Sequence, residues 1–399
     1  MKVLIVEPNS SGHHMAMHLQ IIIRKFNNLK FETSLLTTHS AVNSQGYKLI
    51  KAEMFKNINH YFLPEFKINK VTPLNTLFHQ FEMWIAIKKE FLKIMKIDKP
   101  DIVLIPTFDW IIQSIEIFGS PFANVLFTGV YIHPKHHRYK MGLAPSSRKD
   151  FIHNLLFKKF LKIKTLKRVL TFSEPFVDYA KDNYIKLSNK VSFIPDFGLI
   201  ELKSSKQDAR LKLGINQNSK VILVYGSLSL RKGIKELLNV MLNRNVINNL
   251  VILLSGKANE EIIKLMNDPN ISNLISLKKL IINFKFHSAF EEQQAFAAAD
   301  AIWLGYTQGF AGTSGVLYQA IKANLLIIAQ EQGIIGMYTK KYKLGVIVSP
   351  NKEAQVAEKI FDLFNNYKFY FEQGIESRKF LKDLHSPSTY ADVLTNALR

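Results

Sequence analysis

Short apolar runs alternate with longer amphipathic segments along most of the chain. A short apolar run bounded by turn residues is typical of a strand buried on both faces, and apolar residues at three- and four-residue spacing are typical of a helix. The alternation therefore predicts parallel sheets in an α/β fold. In the first half, strands are predicted at residues 3–7, 33–36, 102–106, 124–127, 169–172 and 191–194.

The second half repeats this rhythm, and the halves meet near residues 195–210, where turn residues mix with charged ones. Strands are predicted there at residues 221–225, 250–255, 281–286, 301–305, 325–329 and 345–348. We expect two Rossmann-like, doubly wound domains that face a central cleft. Because ligands of open α/β sheets bind at the carboxyl ends of the strands, the loops after the strands are expected to carry the chemistry.

Composition narrows the class of protein. No apolar run reaches the roughly 18 residues of a membrane span, and the first apolar run is too short for a signal peptide. The chain has no cysteine, which excludes disulfides, thiolate metal ligands and a cysteine nucleophile and fits a cytosolic protein. Its net charge of +21 favours a polyanionic partner, namely nucleic acid, an anionic membrane surface or a phosphorylated substrate. A genome that enriches Lys, Asn and Ile would give the same charge.

Two basic amphipathic segments favour the membrane among these partners. Residues 150–170 are predicted to form one helical stripe with lysines around the other side, and residues 78–96 repeat that character. The stripe consists of Ile152, Leu155, Leu156, Phe160, Ile163, Leu166 and Leu170. A basic amphipathic helix with aromatic residues suits a membrane surface. The same pattern also describes a helix that faces the core and has a basic solvated side.

The loop after the first strand, PNSSGHHMAMHLQ, opens a predicted helix. Gly12 allows the backbone to approach a ligand there. The loop is not a GxGxxG fingerprint, so a nicotinamide cofactor is not expected. His13 and His14 point about 100° apart on a helix and would not chelate one metal well. Either a capping role or contact with a substrate fits this pair.

A second histidine-rich loop, FTGVYIHPKHHRYKMG, follows the strand at 124–127. His133 lies nearest to the strand end and is, with His13, a candidate general base. His136 and His137 are expected to face solvent or an anionic partner. No Asp or Glu lies close by in the sequence to orient the rings, so no metal site is expected.

In the second half, VILVYGSLSLRKGIKELL runs from strand to loop to helix. Gly226 permits close backbone approach, Ser227 supplies a hydroxyl, and Arg231 and Lys232 bring two cations to the helix start. Backbone amides, a helix N-terminus and a guanidinium together suit a diphosphate. A basic turn exposed to solvent is the alternative.

The stretch TQGFAGTSGVLYQA follows the strand at 301–305 and precedes another helical pattern. Its residues Gly312, Thr313, Ser314 and Gly315 form a second helix start that is compatible with phosphate. Two anion sites at strand ends of one domain favour a nucleoside diphosphate.

These motifs resemble the nucleotide-sugar-binding half of GT-B glycosyltransferases, especially those of family 4. The resemblance lies in GSLSLRKGI after a strand, LLSGKA, FHSAFEEQQAFAAADAIWLGY and QGFAGTSGVLYQAI, and IPDFG resembles the hinge entry. It covers residues 190–350 well, and the first half only through its layout and SSGHH. It implies an acceptor-binding domain at 1–196, a nucleotide-sugar-binding domain at 197–380 and a helix in 381–399 that returns to the first domain.

The resemblance also implies the roles of individual residues. Arg231 and Lys232 would contact the donor diphosphate, and His133 matches a histidine of the family's first domain by strand order. The candidate donor-binding residues are Gly12, Gly226, Ser227, Arg231, Lys232, Gln308, Gly312, Thr313, Ser314, Gly315 and Gln319. Where family 4 enzymes usually carry two glutamates, this chain has Gln308 or Ala311 and then Gln319. An amide can bind a hydroxyl but cannot stabilise an oxocarbenium ion by charge, so retention and inversion both stay open.

The sequence therefore predicts a glycosyltransferase with a nucleoside-diphosphate-sugar donor and a lipid-linked or cell-surface glycan acceptor. No cofactor and no metal are expected, because Arg231, Lys232 and a helix N-terminus would neutralise the leaving diphosphate. We expect a bacterial enzyme of polysaccharide biosynthesis, cytoplasmic and peripheral on the inner face of the cell membrane. The alternatives are a GT-B nucleotide-sugar epimerase, a non-catalytic GT-B partner subunit and, least favoured because no stacking motif is evident, a nucleic-acid-binding protein.

Overall fold

The computed structural model describes residues 1–8, 14–48, 58–66, 73–243, 247–307 and 310–399. The chain forms two compact units. Unit 1 comprises Met1–Met141, Pro145–Pro195 and Pro387–Arg399, and unit 2 comprises Gly142–Ala144 and Asp196–Ser386. Among the described helices, none is long and apolar enough to cross a membrane.

Unit 1 is built on a seven-stranded parallel sheet with the strand order β3-β2-β1-β4-β5-β6-β7. Its strands are β1 (Lys2–Val6), β2 (Glu32–Thr38), β3 (Ile58–Leu63), β4 (Ile102–Ile105), β5 (Leu126–Val130), β6 (Leu166–Thr171) and β7 (Val191–Phe193). Its helices are α1 (Gln20–Asn28), α2 (His39–Val42), α3 (Gln45–Lys48), α4 (Pro73–Ile97), α5 (Ile112–Phe118), α6 (Arg148–Leu161) and α7 (Glu174–Asn183). A π-helical segment, His14–Leu19, precedes α1.

Unit 2 is built on a six-stranded parallel sheet with the order β10-β9-β8-β11-β12-β13. Its strands are β8 (Lys220–Tyr225), β9 (Leu250–Ser255), β10 (Leu280–Asn283), β11 (Ala301–Leu304), β12 (Leu326–Gln330) and β13 (Gly345–Val348). Its helices are α8 (Lys206–Lys212), α9 (Ile234–Asn243), α10 (Glu260–Met266), α11 (Pro269–Ser276), α12 (Ala289–Ala298), α13 (Gly315–Lys322), α14 (Gly333–Lys341), α15 (Glu353–Asn365), α16 (Tyr367–Gln373) and α17 (Ile375–Leu384).

The prediction of two Rossmann-like parallel sheets is confirmed. In both sheets the strand order reverses beside the first strand, between β1 and β4 in unit 1 and between β8 and β11 in unit 2. The loops that leave such a pair diverge to opposite sides of the sheet and open a crevice at its carboxyl edge. Each unit therefore has one crevice where a ligand is expected.

The last helix, α18 (Pro387–Leu398), belongs to unit 1 although the chain reaches it from unit 2. Tyr390 packs its ring against His18, with 5.2 Å between ring centroids, and Leu394 is fully buried. Asp392 forms an ion pair with Lys25 at 2.5 Å. These contacts bind the C-terminal helix to the first sheet's outer layer.

The single helical stripe expected over residues 150–170 is wrong. The helix α6 ends at Leu161, and Leu166 already lies in β6. The face that α6 buries contains Phe157, Phe160 and Leu161, whereas Ile152 and Leu155 are exposed. The three- and four-residue spacing of apolar residues continues through the turn into β6, which is buried because it is a strand of the sheet. The sequence pattern therefore resembles that of one longer helix.

The first half also differs from prediction in its strands. The edge strand β3 was not predicted, because only its two end residues, Ile58 and Leu63, are buried and its middle mixes polar residues with the partly exposed aromatic residues Tyr61 and Phe62. The strand predicted at 124–127 is displaced to Leu126–Val130. Its last residues include Thr128 and Gly129, which interrupt the apolar run in the sequence although both are covered by the sheet.

Candidate active site

The loop after β8 enters the unit 2 crevice through Gly226. This residue has φ +99°, a left-handed conformation that a side chain would strain. Ser227 follows and is exposed, and Arg231 and Lys232 lie in a 3₁₀ turn just before α9. Gly233 ends the turn with φ +68°, and a Cβ there would lie 2.0 Å from the backbone oxygen of Gly305. The loop therefore packs directly on the backbone that follows β11.

Lys232 is a buried cation, only 7% exposed. Its Nζ donates to the carbonyl of Tyr225 at 2.8 Å and to the hydroxyl of Tyr306 at 3.3 Å. Among the described residues it has no carboxylate partner. An ammonium has three N–H donors, so one donor and the full positive charge are left for another group. Because a buried charge without a counter-ion is costly, the site suits an anion.

Arg231 is exposed, and its position is fixed by aromatic rings and by the backbone. Its guanidinium carbon lies 5.0 Å from the ring centre of Phe310 and 5.8 Å from that of Tyr306, and these two rings stack at 4.2 Å. The amide of Thr307 donates to the Arg231 carbonyl at 2.9 Å. The loops after β8 and β11, predicted separately as anion sites, therefore contact each other.

A cavity of about 230 Å³ lies beside these rings, at the ends of β11, β12 and β13. Its wall includes Tyr306, Phe310 and Gln330. Gln330 donates to the carbonyl of Phe310 at 2.6 Å and fixes the loop after β11 to the end of β12. There is thus space beside the two aromatic rings on which Arg231 packs.

The predicted second helix start is the N-terminus of α13. Ser314 is its N-cap, but its side chain does not cap the helix and instead shares a hydrogen bond of 3.1 Å with the Tyr306 hydroxyl. Gly312 is buried, Thr313 is half-buried, and Gly315 is exposed with open space where a Cβ would lie. Because no side chain caps α13, its first amides are open to a ligand.

Gln319 lies one turn further along α13. Its Oε1 is buried and has no hydrogen-bond partner among the described residues. Its backbone nitrogen would be 3.0 Å from a Cβ at Gly198, so the IPDFG segment packs directly on this helix. The candidates Gln308, Gly12 and His13 lie outside the described residues.

In unit 1, His133 lies in the loop after β5 and its side chain is 52% exposed. Asp109 comes from a 3₁₀ turn after β4, and its Oδ1 lies 3.2 Å from Nδ1 of His133. Its two oxygens also accept from the backbone amides of Ile132, at 2.8 Å, and His133, at 2.9 Å. A carboxylate on Nδ1 holds the ring in one orientation and leaves Nε2 to accept a proton.

This pair corrects the expectation that no acid is near the histidines. Asp109 is 24 residues away in the sequence, and it becomes a neighbour because β4 and β5 are adjacent strands. The signal available in the sequence was an acid directly behind a buried strand, in IPTFDW. The described residues contain no group of three or more possible metal ligands.

His136 and His137 do not face solvent, which is a second correction. Both are buried, at 2% and 0% exposure, among the rings of Phe157, Phe176 and Tyr179. His136 pairs with the Tyr184 hydroxyl at 3.1 Å, and Nε2 of His137 with the Ser173 hydroxyl at 3.3 Å. Burial lowers the pKa of each imidazole from 6.5 to about 3. They are therefore neutral core residues.

Comparison with known proteins finds a family match within unit 2. Residues 205–380 match the model of the family described as glycosyl transferases group 1. No curated protein sequence matches the chain. Several hundred solved chains share the fold at a significant level.

Three of the similar structures illustrate the extent of the likeness. Sucrose-phosphate synthase from Thermosynechococcus elongatus is 13% identical with a TM-score of 0.72, covering 100% of this chain and 98% of that one. HepE of Anabaena in complex with UDP is 13% identical with a TM-score of 0.70, covering 100% and 99%. WaaG, a glycosyltransferase involved in lipopolysaccharide biosynthesis, is 14% identical with a TM-score of 0.64, covering 99% and 100%.

At these identities the structural likeness shows the fold, and it extends over both units. The family match adds the activity, and it falls on the unit that carries Arg231 and Lys232. Residues 205–380 therefore form a group 1 glycosyltransferase domain, and the chain as a whole has the GT-B fold.

Proposed function

We propose that the enzyme transfers a sugar from a uridine diphosphate sugar to a lipid-linked or cell-surface glycan acceptor without a metal ion. The observation that carries the donor part is the buried ammonium of Lys232, which has no carboxylate partner among the described residues, in the loop that also carries Arg231 at the crevice of unit 2. HepE, which shares the fold, is described in complex with UDP and with UDP-glucose. WaaG, which also shares it, is described as involved in lipopolysaccharide biosynthesis.

In this proposal the cations of unit 2 stabilise the leaving group. When the bond between the anomeric carbon and the diphosphate breaks, negative charge develops on the diphosphate oxygens. Lys232, Arg231 and the uncapped N-terminus of α13 are already in position to stabilise that charge as it forms. Such preorganised electrostatic stabilisation is usually the largest single contribution to catalysis. The transfer then needs no divalent ion, and we expect activity to persist in EDTA.

The donor site is tested by calorimetric titration with UDP, GDP and ADP. UDP binding is expected in the parent, and Arg231→Ala and Lys232→Met should each weaken it about tenfold to a hundredfold, as expected for a lost charge-assisted hydrogen bond. Lys264→Ala, an exposed lysine on α10, is the matched control. If no nucleotide binds and no UDP-sugar is hydrolysed, the proposed function fails.

We further propose that His133 is the general base and that Asp109 positions it. Its Nε2 would take the proton of the acceptor hydroxyl as that oxygen attacks the anomeric carbon. His13 is the second candidate. The assay is UDP release with acceptor present and absent. An epimerase would convert the donor without acceptor, and a non-catalytic subunit would bind UDP without turnover.

Unit 1 also carries the surface that we propose for the membrane. The helix α5 contacts both α4 and α6, and Phe118 at its end is 49% exposed beside Phe81 and Trp84. Lys159 of α6 reaches the carbonyl of Ile117, and Lys88 of α4 lies 5.0 Å from the Trp84 ring. Further exposed apolar side chains on these helices are Phe78, Ile85, Phe151, Ile152 and Leu155. Exposed aromatic and aliphatic groups among lysines suit anionic lipid at an inner membrane face.

Vesicle sedimentation tests the membrane surface. The protein should sediment with phosphatidylglycerol vesicles, less so in high salt, and not with phosphatidylcholine vesicles. Phe118→Ser together with Phe151→Ser should reduce the bound fraction severalfold, because two apolar anchors are lost. Phe369→Ser, an equally exposed phenylalanine of unit 2, is the control. Equal binding by the parent and the double variant would exclude this surface, and binding to RNA in a filter assay would favour the nucleic-acid alternative.

A further inference from the structure

A cavity of about 420 Å³ lies inside the carboxyl edge of unit 1, next to the candidate base. Its lining comes from α4, the turn after β4, α5, the loop after β5 and α6. The polar residues of this lining are Thr76, Gln80, Asp109, Gln113, Glu116, Tyr131, His133, Lys135, His136 and His153. A second cavity of about 330 Å³ adjoins it through the shared residues Thr76, Gln80 and Asp109.

Glu116 is the unusual member of this lining. It is only 4% exposed, and no described residue hydrogen-bonds or ion-pairs with its carboxyl. Burial raises its pKa from 4.5 to about 8, so the group is mostly protonated at neutral pH. Burying an acid without a partner lowers the stability of the fold. Such a group in a cavity is therefore a candidate for ligand binding. None of the donor-site or base contacts described above uses it.

The lining suits a ligand that both donates and accepts hydrogen bonds. A protonated carboxyl, a phenol, an amide and a neutral imidazole can each do both, and these are the groups that Glu116, Tyr131, Gln113 and His136 supply. A hydroxyl-rich ring can pair with each of these groups and also with the donor-only Lys135 and the acceptor-only Asp109 of the same wall. A phosphoryl group suits this wall less well: Lys135 would attract it, but it cannot donate to the acceptors of the wall and would be repelled by the Asp109 carboxylate and by Glu116 once ionised.

We propose that this cavity holds one uncharged sugar ring of the acceptor and that Glu116 binds one of its hydroxyls. The inference rests on the proposed function and names its acceptor as a neutral saccharide end rather than a sugar phosphate. The adjoining cavity has room for a second ring of the same glycan.

The test measures saccharide binding by ligand-observed NMR titration. The neutral probes are methyl glucoside, methyl galactoside and N-acetylglucosamine, and the charged probes are glucose 1-phosphate and glucose 6-phosphate. At least one neutral probe should bind more tightly than both phosphates. Glu116→Ala should weaken that probe about tenfold, the loss expected for a hydrogen bond to a buried group, whereas Glu116→Gln should stay within about threefold. Glu82→Ala, an exposed glutamate on α4, is the matched control.

The pH dependence separates a ligand contact from a merely structural role. In the parent, affinity for the neutral probe should fall as the pH rises from 7 to 9, because Glu116 ionises near 8 and a ring that fills the cavity removes further water from the charged form. Glu116→Gln should not show this fall. The titratable or charged groups that face Glu116 across the cavity are Asp109, Tyr131, His133, Lys135, His136 and His153, and Tyr184 also lies near. They are unchanged in the variant, so the difference between the two profiles belongs to Glu116.

Two failures are distinguishable. Tighter binding of the phosphates, no binding of any neutral probe, or unchanged affinity in Glu116→Ala overturns the inference. If UDP still binds to the same samples, the donor assignment and the proposed transferase stand. Loss of UDP binding in the parent would instead remove the proposed function itself.

Discussion

The two buried histidines of unit 1 are expected to make this unit less stable in acid. His136 and His137 are buried, and burial is the main cause that lowers the pKa of each from 6.5 to about 3. The folded unit therefore keeps both rings neutral down to about pH 3, whereas the unfolded chain protonates them near 6.5. Their contribution to stability is complete above pH 6.5 and is lost as the pH falls toward 3.

The size of the effect follows from proton linkage. Each imidazole removes about 1.4 kcal/mol of unfolding free energy for each pH unit below its ordinary pKa. About two pH units below that value the loss is roughly 2 to 3 kcal/mol for each ring. Because domains are stable by only about 5–15 kcal/mol, unit 1 is expected to be close to unfolding near pH 4.5.

The chain offers a specific probe for this measurement. It has three tryptophans, and Trp84 and Trp110 belong to unit 1 whereas Trp303 belongs to unit 2. In a Trp303→Phe background, tryptophan fluorescence during urea unfolding reports on unit 1 alone. The unfolding free energy is measured at about pH 7.5, 6.5, 5.5 and 4.5 by linear extrapolation.

Removing one ring should reduce the slope of the unfolding free energy against pH by the contribution of about one bound proton. His136→Gln and His137→Gln keep a hydrogen-bonding group but do not titrate, so each variant should lose about half of the slope below pH 6.5. His39→Gln, an exposed histidine of the same unit, should retain the full slope. Equal slopes in the parent and both buried variants would refute the assignment, whatever the variants' stability at pH 7.5.

Three further outcomes are expected. Asp109→Asn should lower turnover about tenfold to a hundredfold through the orientation of His133 while calorimetric UDP affinity is unchanged; an equal loss of both would contradict a positioning role. Gly233→Ala should reduce the unfolding free energy of unit 2 by about 1–3 kcal/mol in urea, because its Cβ meets a backbone oxygen at 2.0 Å. Arg210→Met breaks a buried ion pair with Asp300 of 2.8 Å and should cost about 3–5 kcal/mol in the same measurement.

The strands were predictable from the sequence where both faces of the strand are buried. The runs that form β8 and β9 are almost entirely buried and apolar, so composition alone marks them. The edge strand β3 has one partner strand and a partly exposed middle of mixed polar and aromatic residues. Its position depends on pairing with β2, which a local window of sequence cannot reveal. The error in α6 has the same origin, because local spacing does not tell which face the tertiary structure covers.

The candidate site likewise has features that could be predicted from local sequence and features that depend on tertiary contacts. The positions of the two candidate anion loops of unit 2 were predictable because each is local, a glycine-containing turn between a strand and a helix. The pairing of Asp109 with His133 was not, because it depends on the adjacency of β4 and β5. The burial of His136 was hidden for a similar reason, since the rings that enclose it come from α6 and α7.

Both candidate sites are held by backbone contacts between loops of different strands. In unit 2, the Thr307 amide donates to the Arg231 carbonyl and the indole of Trp303 to the Lys232 carbonyl, at 2.9 and 2.8 Å. In unit 1, the amides of Ile132 and His133 fix the carboxylate that orients the base. These bonds are made by the protein to itself, so we expect binding to require little ordering of the loops they hold. Dipoles and charges fixed in this way need not reorganise when charge develops in the transition state, and we infer that the topology of each sheet, rather than a closing loop, preorganises its part of the chemistry.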